Sequence, residues 1–227
     1  MLNTQQIEPS RYAFFDVDDT VISTKSMFSF IKLYFEHYPN PELQHSFNHE
    51  MKQLLEGDTS WNIVNTQFYQ YFKHFSVANI EAVCQLWFEK YAYNNDHFYH
   101  KNIVRQLKQH QETGVQCVFV SGSFRELLQL IAVDLDVKHI LSINVERKDL
   151  MYTGKIIPPQ TIGKGKAQAI ALFLKEHQGD AKTCFAYGDD ISDVPMLEVV
   201  GHPIAVAGGR RLESYATNLG WKIIQPD

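Results

Sequence analysis

The chain has 227 residues, a formal net charge of −5, and 44% hydrophobic and 13% aromatic residues. That length suits one to two domains, and the apolar share excludes a disordered chain. No basic stripe runs along it, which argues against nucleic acid or an anionic membrane surface as partners, and no segment approaches the ~18 apolar residues of a membrane span.

The first fifteen residues, MLNTQQIEPSRYAFF, lack the basic start and apolar stretch of a secretory leader. Three cysteines, Cys84, Cys117 and Cys184, are widely spread and odd in number. They build neither a disulfide framework nor a paired-cysteine metal knuckle, so the reading is buried free thiols in a reducing cytoplasm.

A first strand, Tyr12-Ala13-Phe14-Phe15, stops at the acidic cluster Asp16-Val17-Asp18-Asp19-Thr20. The next segment, about 23–102, has no strong strand signal. Its aromatics recur at helical spacing, as in Phe28, Ile31, Tyr34 and Phe35, then Phe68, Tyr71, Phe72 and Phe75. Pro39-Asn40-Pro41 and Gly57-Asp58 read as breaks between helices. A second strand over 115–120 ends at Ser121-Gly122-Ser123, followed by a helix over 124–133. Between 138 and 157 the pattern becomes a β excursion from the main sheet, with a hairpin turn at Met151-Tyr152-Thr153-Gly154-Lys155.

A helix over 166–177 precedes a third strand, Thr183-Cys184-Phe185-Ala186-Tyr187, closed by Gly188-Asp189-Asp190. A helix over 194–200, a strand over 203–206, a helix over 210–219 and a last strand over 221–224 complete the chain. Short apolar runs alternating with helices predict an α/β fold with a doubly wound, mainly parallel sheet. A helical cap is inserted after the first strand. The expected division is a core of residues 1–22 and 103–227 and a cap of residues 23–102.

Polar clusters follow the carboxyl ends of the strands, where doubly wound sheets place ligand sites. Asp16 and Asp18 lie two apart on extended chain, so their carboxylates can share a direction, and they repel unless a cation sits between them. Asp189 can complete such a site from across the sheet. Hard oxygen donors without neighbouring nitrogens suit Mg²⁺ better than zinc. The plainer alternative is that these acids cap turns and helix starts.

Four motifs in this order resemble the haloacid dehalogenase superfamily, in its phosphoserine-phosphatase-like branch. They are Asp16-Val17-Asp18-Asp19-Thr20, the strand-end Ser121-Gly122-Ser123, Lys166 within Gly163-Lys164-Gly165-Lys166-Ala167, and Gly188-Asp189-Asp190-Ile191-Ser192-Asp193. The resemblance spans the core, and the insertion matches the family's cap in position and class. It implies a phosphatase acting on a small-molecule phosphate ester through an aspartyl-phosphate on Asp16. Asp18 would protonate the leaving alkoxide and later activate water. Its main-chain carbonyl and the Asp16 and Asp189 carboxylates would hold Mg²⁺. Ser121, Gly122 and Lys166 would bind the phosphoryl group, and Asp193 would orient the lysine or a metal-bound water.

Lys166 is preferred over Lys164 because its place before Ala167 fits the motif. Ser121 could equally cap the helix that follows it. Neither a Walker loop nor a GxSxG elbow is formed. Two departures stand out. Asp190 adds an extra carboxylate to the last acidic motif, read as facing solvent. Lys25 stands about where phosphoserine phosphatases commonly place a glutamate for the substrate ammonium, so a neutral or acidic leaving group is expected to bind there. His45 and His49 have the spacing of a helical metal pair but lack a third ligand, and Arg105 and Arg125 are as well explained by surface ion pairs. The rival functions are a phosphotransferase or carbon–phosphorus hydrolase on the same fold, or a catalytically silent binding protein.

Overall fold

Every residue of β1 (Tyr12–Phe15) is buried, as a strand covered on both faces requires. The computed structural model describes residues 11–57, 59–93 and 95–227 and places β1 at the centre of a seven-stranded sheet. The others are β2 (Gln116–Phe124), β3 (His139–Lys148), β4 (Met151–Ile157), β5 (Phe185–Gly188), β6 (His202–Val206) and β7 (Lys222–Ile224). Their order is β4-β3-β2-β1-β5-β6-β7, with every neighbouring pair parallel except β3 and β4. Strand order therefore turns in opposite directions on the two sides of β1, which opens a crevice beyond its carboxyl end. The stretch 1–10 read for a leader, and Asp58 of the Gly57-Asp58 break, lie outside the described residues.

Four helices follow β1: α1 (Ser26–His37), α2 (Pro41–Glu56), α3 (Trp61–Gln70) and α4 (Val77–Tyr91). Asn40 starts α2 by accepting a hydrogen bond from the Leu43 N–H at 3.1 Å, with Pro41 at the first helical position, where its missing N–H leaves no bond unmade. A fifth helix, α5 (Lys101–Glu112), is not anticipated by the sequence reading. Only Ile103 and Leu107 of it are buried, one turn apart on an otherwise polar segment. The later helices α6 (Arg125–Asp134), α7 (Lys164–Glu176), α8 (Val194–Glu198) and α9 (Arg210–Leu219) fall close to the predicted positions.

Three expectations are corrected. β2 does not stop at Ser121 but runs to Phe124, because beyond a bulge Phe124 pairs with Ile143 of β3. The segment from 138 is not an excursion, since β3 pairs in parallel with β2 and continues the main sheet. The hairpin turn is Asp149-Leu150, both at positive φ (52° and 63°), and Met151 already lies in β4.

Gly154, in mid-strand at φ 81°, instead marks a close approach. A Cβ there would stand 2.9 Å from the Gln70 carbonyl oxygen at the end of α3.

Most of the insertion's aromatics pack as core, with Phe28 and Tyr71 half-buried against it. Phe30 and Phe72 meet Phe124 at ring distances of 4.8 and 5.3 Å, so the insertion and the sheet share one apolar cluster. Trp87 of α4 is fully buried, and its indole N–H donates to the Ser29 hydroxyl at 2.9 Å. Main-chain bonds also join the α3–α4 junction to β4. The Val77 N–H donates to Leu150 at 2.9 Å, the His74 N–H to Tyr152 at 3.0 Å, and the Tyr152 N–H to Phe75 at 2.9 Å. The three cysteines are free and buried. Among the described residues no helix is long and apolar enough to cross a membrane.

Candidate active site

The site begins where β1 ends. The Asp16 N–H donates to the Tyr187 carbonyl at 2.9 Å, so the nucleophile candidate is still held by the sheet ladder. The chain then folds tightly, with the Val17 carbonyl accepting from the N–H groups of Val21 and Ile22 at 2.8 and 3.0 Å. Asp19 takes the left-handed conformation (φ 60°) that aspartate tolerates better than most residues. Thr20 points back into the site, its hydroxyl 2.8 Å from an Asp189 oxygen and 3.4 Å from Asp16 Oδ2.

Lys166, in the first turn of α7, is only 4% exposed. Its Nζ donates to Asp16 Oδ1 at 2.5 Å and to Asp193 Oδ1 at 2.6 Å. Lys164 is exposed, so burial separates the two candidate lysines. Asp193 is tied on both oxygens, because its Oδ2 also accepts from the Asp190 N–H at 3.3 Å. Room for it comes from Gly188 at the end of β5, where a Cβ would stand 2.6 Å from the Asp193 carboxylate. Asp190 is part of the same turn. It accepts from the Ser192 N–H at 2.9 Å and closes a capping box with Asp193.

Ser121 accepts a hydrogen bond from the Ser123 N–H at 3.0 Å, which leaves its own O–H free to donate. It does not cap α6, whose N-cap is Phe124 without a side-chain bond. The Gly122 carbonyl is held from the insertion by two groups the sequence did not single out, Asn65 Nδ2 at 2.8 Å and the Tyr69 hydroxyl at 3.0 Å. Asn65 in turn accepts from Gln160 at 3.1 Å.

Lys25 pairs with Asp19 at 2.6 Å and stands 5.4 Å from the centre of the Trp61 ring. Its charge is therefore already partnered, and Asp19 raises its pKa although burial opposes this. All eight residues singled out for the site, Asp16, Asp18, Lys25, Ser121, Gly122, Lys166, Asp189 and Asp193, line one cavity together with Met27, Phe28, Trp61, Ile162 and Ser192. Asp190, read as facing solvent, is half-buried and lines it too, because its turn folds it onto Asp193. Neither histidine of the His45–His49 pair lines it, and neither Arg105 nor Arg125 does. Arg105 donates to Asn102 at 2.7 Å on the surface.

The electrostatics of the cavity are those of a site short of positive charge. Burial raises the Asp16 carboxyl to about 6 against the pull of Lys166. Burial and the neighbouring Asp193 raise Asp189 to about 6, and burial raises Asp193 to about 6 as well. Asp18 is pushed furthest, to about 7, by burial, partly offset by a hydrogen bond from Ser26. Its Oδ1 is buried without a partner.

Among the described residues, Asp16, Asp189 and Asp193 form the cluster able to hold a cation, with one donor atom from each within 4.8 Å of the others. Three carboxylates, one of them bonded twice over, with a single buried ammonium among them fit a hard divalent cation. The Asp18 carboxylate does not join that cluster. Its part in the metal reading rests on its main-chain carbonyl.

A family model described as haloacid dehalogenase-like hydrolase matches residues 13–198. The chain is 36% identical over 115 residues to a probable phosphatase of Mycobacterium tuberculosis, an alignment covering 51% of this chain and 40% of that one. It thus spans about two-fifths of that relative's length. It is 29% identical over 223 residues to a phosphoserine phosphatase of the same organism, covering 96% of this chain and 71% of the other. A solved structure from Bordetella pertussis, of unknown function, superposes with a TM-score of 0.83 at 21% identity, covering 96% of this chain and all of that one. That likeness bears on the fold alone.

Proposed function

This chain belongs to the haloacid dehalogenase-like hydrolases, and from that premise we propose that it is a Mg²⁺-dependent phosphatase working through an aspartyl-phosphate on Asp16. The observation that carries the reading is the state of Asp16. It sits buried at the end of the central strand, with Oδ1 occupied by Lys166 and Oδ2 meeting the Thr20 hydroxyl at the long distance of 3.4 Å. A carboxylate fixed by one oxygen presents the other to phosphorus in one direction, which is what in-line displacement requires.

Mg²⁺ would be held by the Asp16 and Asp189 carboxylates and the Asp18 main-chain carbonyl, and when bound it supplies charge neutralisation between nucleophile and phosphate. The remaining work falls to the side chains. Ser121 donates its free O–H to a phosphoryl oxygen, the Gly122 N–H lies beside it, and Lys166 offsets the phosphoryl charge. Asp18, held largely protonated below about 7 by burial, gives its proton to the leaving oxygen. As a carboxylate it then takes a proton from the water that attacks the aspartyl-phosphate. Asp193, engaged by Lys166 and the Asp190 N–H, positions the lysine. Residues 23–102 act as the cap that excludes water and chooses the leaving group. Lys25, paired with Asp19, lies at the mouth of the site and disfavours a substrate ammonium there.

The first test is release of p-nitrophenol from p-nitrophenyl phosphate with Mg²⁺ and with EDTA. Turnover with Mg²⁺ that EDTA removes is the expected result, and equal turnover in EDTA would overturn the metal assignment.

A second expectation concerns stability. Carboxyl groups raised to about 6 in the fold bind protons more tightly than in the unfolded chain. Their contribution to the metal-free protein is fully present below their unfolded pKa and is lost as pH rises through about 6. Mg²⁺ relieves that deficit, so it should raise the melting temperature more at pH 7.5 than at pH 5. Thermal melts at the two pH values check this, and an equal shift at both would contradict it.

A further inference from the structure

The cavity that holds the acids has a volume of only about 70 Å³. Whatever alcohol carries the phosphate must therefore lie beyond its rim. Part of that rim is apolar, made by Met27, Phe28, Trp61 and Ile162, while Lys25, Asp190 and Ser192 supply its polar part. Phe28 is shared with a second cavity of about 590 Å³, which lies between α1 and α2.

The floor of this second cavity is laid down by helical spacing. Ile31 and Phe35 lie four apart on α1, Phe47 and Met51 four apart on α2, and all four are buried. Beneath the surface a chain of packed rings links Phe28 to this floor. Phe28 meets Phe68 edge-on at 5.6 Å, Phe68 meets Phe47 at 5.6 Å, and Phe47 meets Phe35 at 6.1 Å. From Phe28 to Phe35 the helix advances roughly 10 Å at ~1.5 Å per residue. Leu55 lines the same groove and is 50% exposed, an apolar side chain left open to solvent. Polar groups line it as well: Gln44, Asn48, Lys32 and the Lys52–Glu56 pair, with Asn48, Lys32, Lys52 and Glu56 exposed.

We infer that the leaving group carries an extended apolar chain, which runs from the acids past Phe28 into the groove between α1 and α2. The inference rests on the phosphatase reading given above and deepens it by naming the substrate class, a phosphate monoester of an amphiphilic or long-chain alcohol. Phe28, which lines both the acid-lined cavity and the groove, assigns the groove to the substrate's own chain. A protein segment laid in the groove would have no reason to meet the phosphoryl site. A small polar alcohol would leave the groove unused. Each methylene seated there raises kcat/KM by roughly fourfold, the burial of one CH₂.

The experiment measures phosphate release from ethyl, butyl, hexyl and octyl phosphate with Mg²⁺, beside p-nitrophenyl phosphate as the surrogate. The wild type should show kcat/KM climbing with chain length. The ratio of octyl to ethyl should collapse in Leu55→Glu, which changes an exposed residue and keeps the fold, and in Met51→Gln, which changes the floor.

A series that is flat or falls with length while the surrogate turns over overturns the groove assignment and leaves the phosphatase reading standing. A ratio untouched by both substitutions overturns it equally. If the folded protein releases phosphate from no ester, the surrogate included, the phosphatase reading fails and this inference fails with it.

Discussion

Replacing Asp16 with asparagine is expected to lower kcat on p-nitrophenyl phosphate by roughly 10⁴-fold or more, the scale seen when a nucleophile is removed from a working unit. An amide cannot form the aspartyl-phosphate, and neither Asp193 nor Asp189 is free to replace it. Asp193 has both oxygens engaged, and Asp189 is held by Thr20. The same substitution should raise the melting temperature of the metal-free protein at pH 7.5. Asp16 is raised to about 6, so its ionised form is disfavoured in the fold at that pH. Loss of activity together with gain of stability separates a chemical role from a structural one. An active Asp16→Asn protein would remove the proposed nucleophile, and a variant both inactive and unfolded would point to a structural part.

Asp18→Asn should produce a different defect of about 10²–10⁴-fold in turnover, because it removes a proton donor and acceptor rather than the nucleophile. p-Nitrophenolate leaves without a proton, so the first step with that ester survives the change better than the second. The expected record is a burst of one p-nitrophenol per chain, then slow release, with phosphate trapped on Asp16 and visible after acid quench. With an alkyl ester both steps need Asp18, and the burst disappears. In the wild type the carboxyl raised to about 7 sets the pH dependence. Leaving-group protonation fails as pH rises above about 7 and water activation fails as pH falls below it. A variant that turns over alkyl phosphates like the wild type would remove Asp18 from both steps.

The acids of this site were legible because a parallel strand delivers its carboxyl-end loop to the same crevice whatever the rest of the chain does. Asp16, Ser121 and Asp189 each follow directly on an apolar run. The choice of Lys166 over Lys164 rested on motif position; the structure buries Lys166 and leaves Lys164 exposed. What stayed hidden depends on contacts across long separations. Asn65 and Tyr69 reach Gly122 from a helix whose pattern reads only as packing.

Trp61 and Phe28 belong to the same aromatic spacing as true core residues, and nothing local tells a ring at a rim from a ring in the interior. The hairpin was misplaced because Gly154 attracts the turn assignment. The real turn puts Leu150 at φ 63°, a conformation leucine seldom takes. α5 was missed for the opposite reason, since two buried residues in twelve give little periodic signal.

The bonds between β4 and residues 74–77 have a consequence for how such a sheet survives at high concentration. A terminal strand with bare amides and carbonyls is a template for pairing with another molecule. Here Leu150 and Tyr152 have their main-chain groups taken by Val77, His74 and Phe75. The insertion therefore covers the start of this edge strand, much as a hem keeps cloth from fraying. Cutting the helices away would unmask a sticky border there.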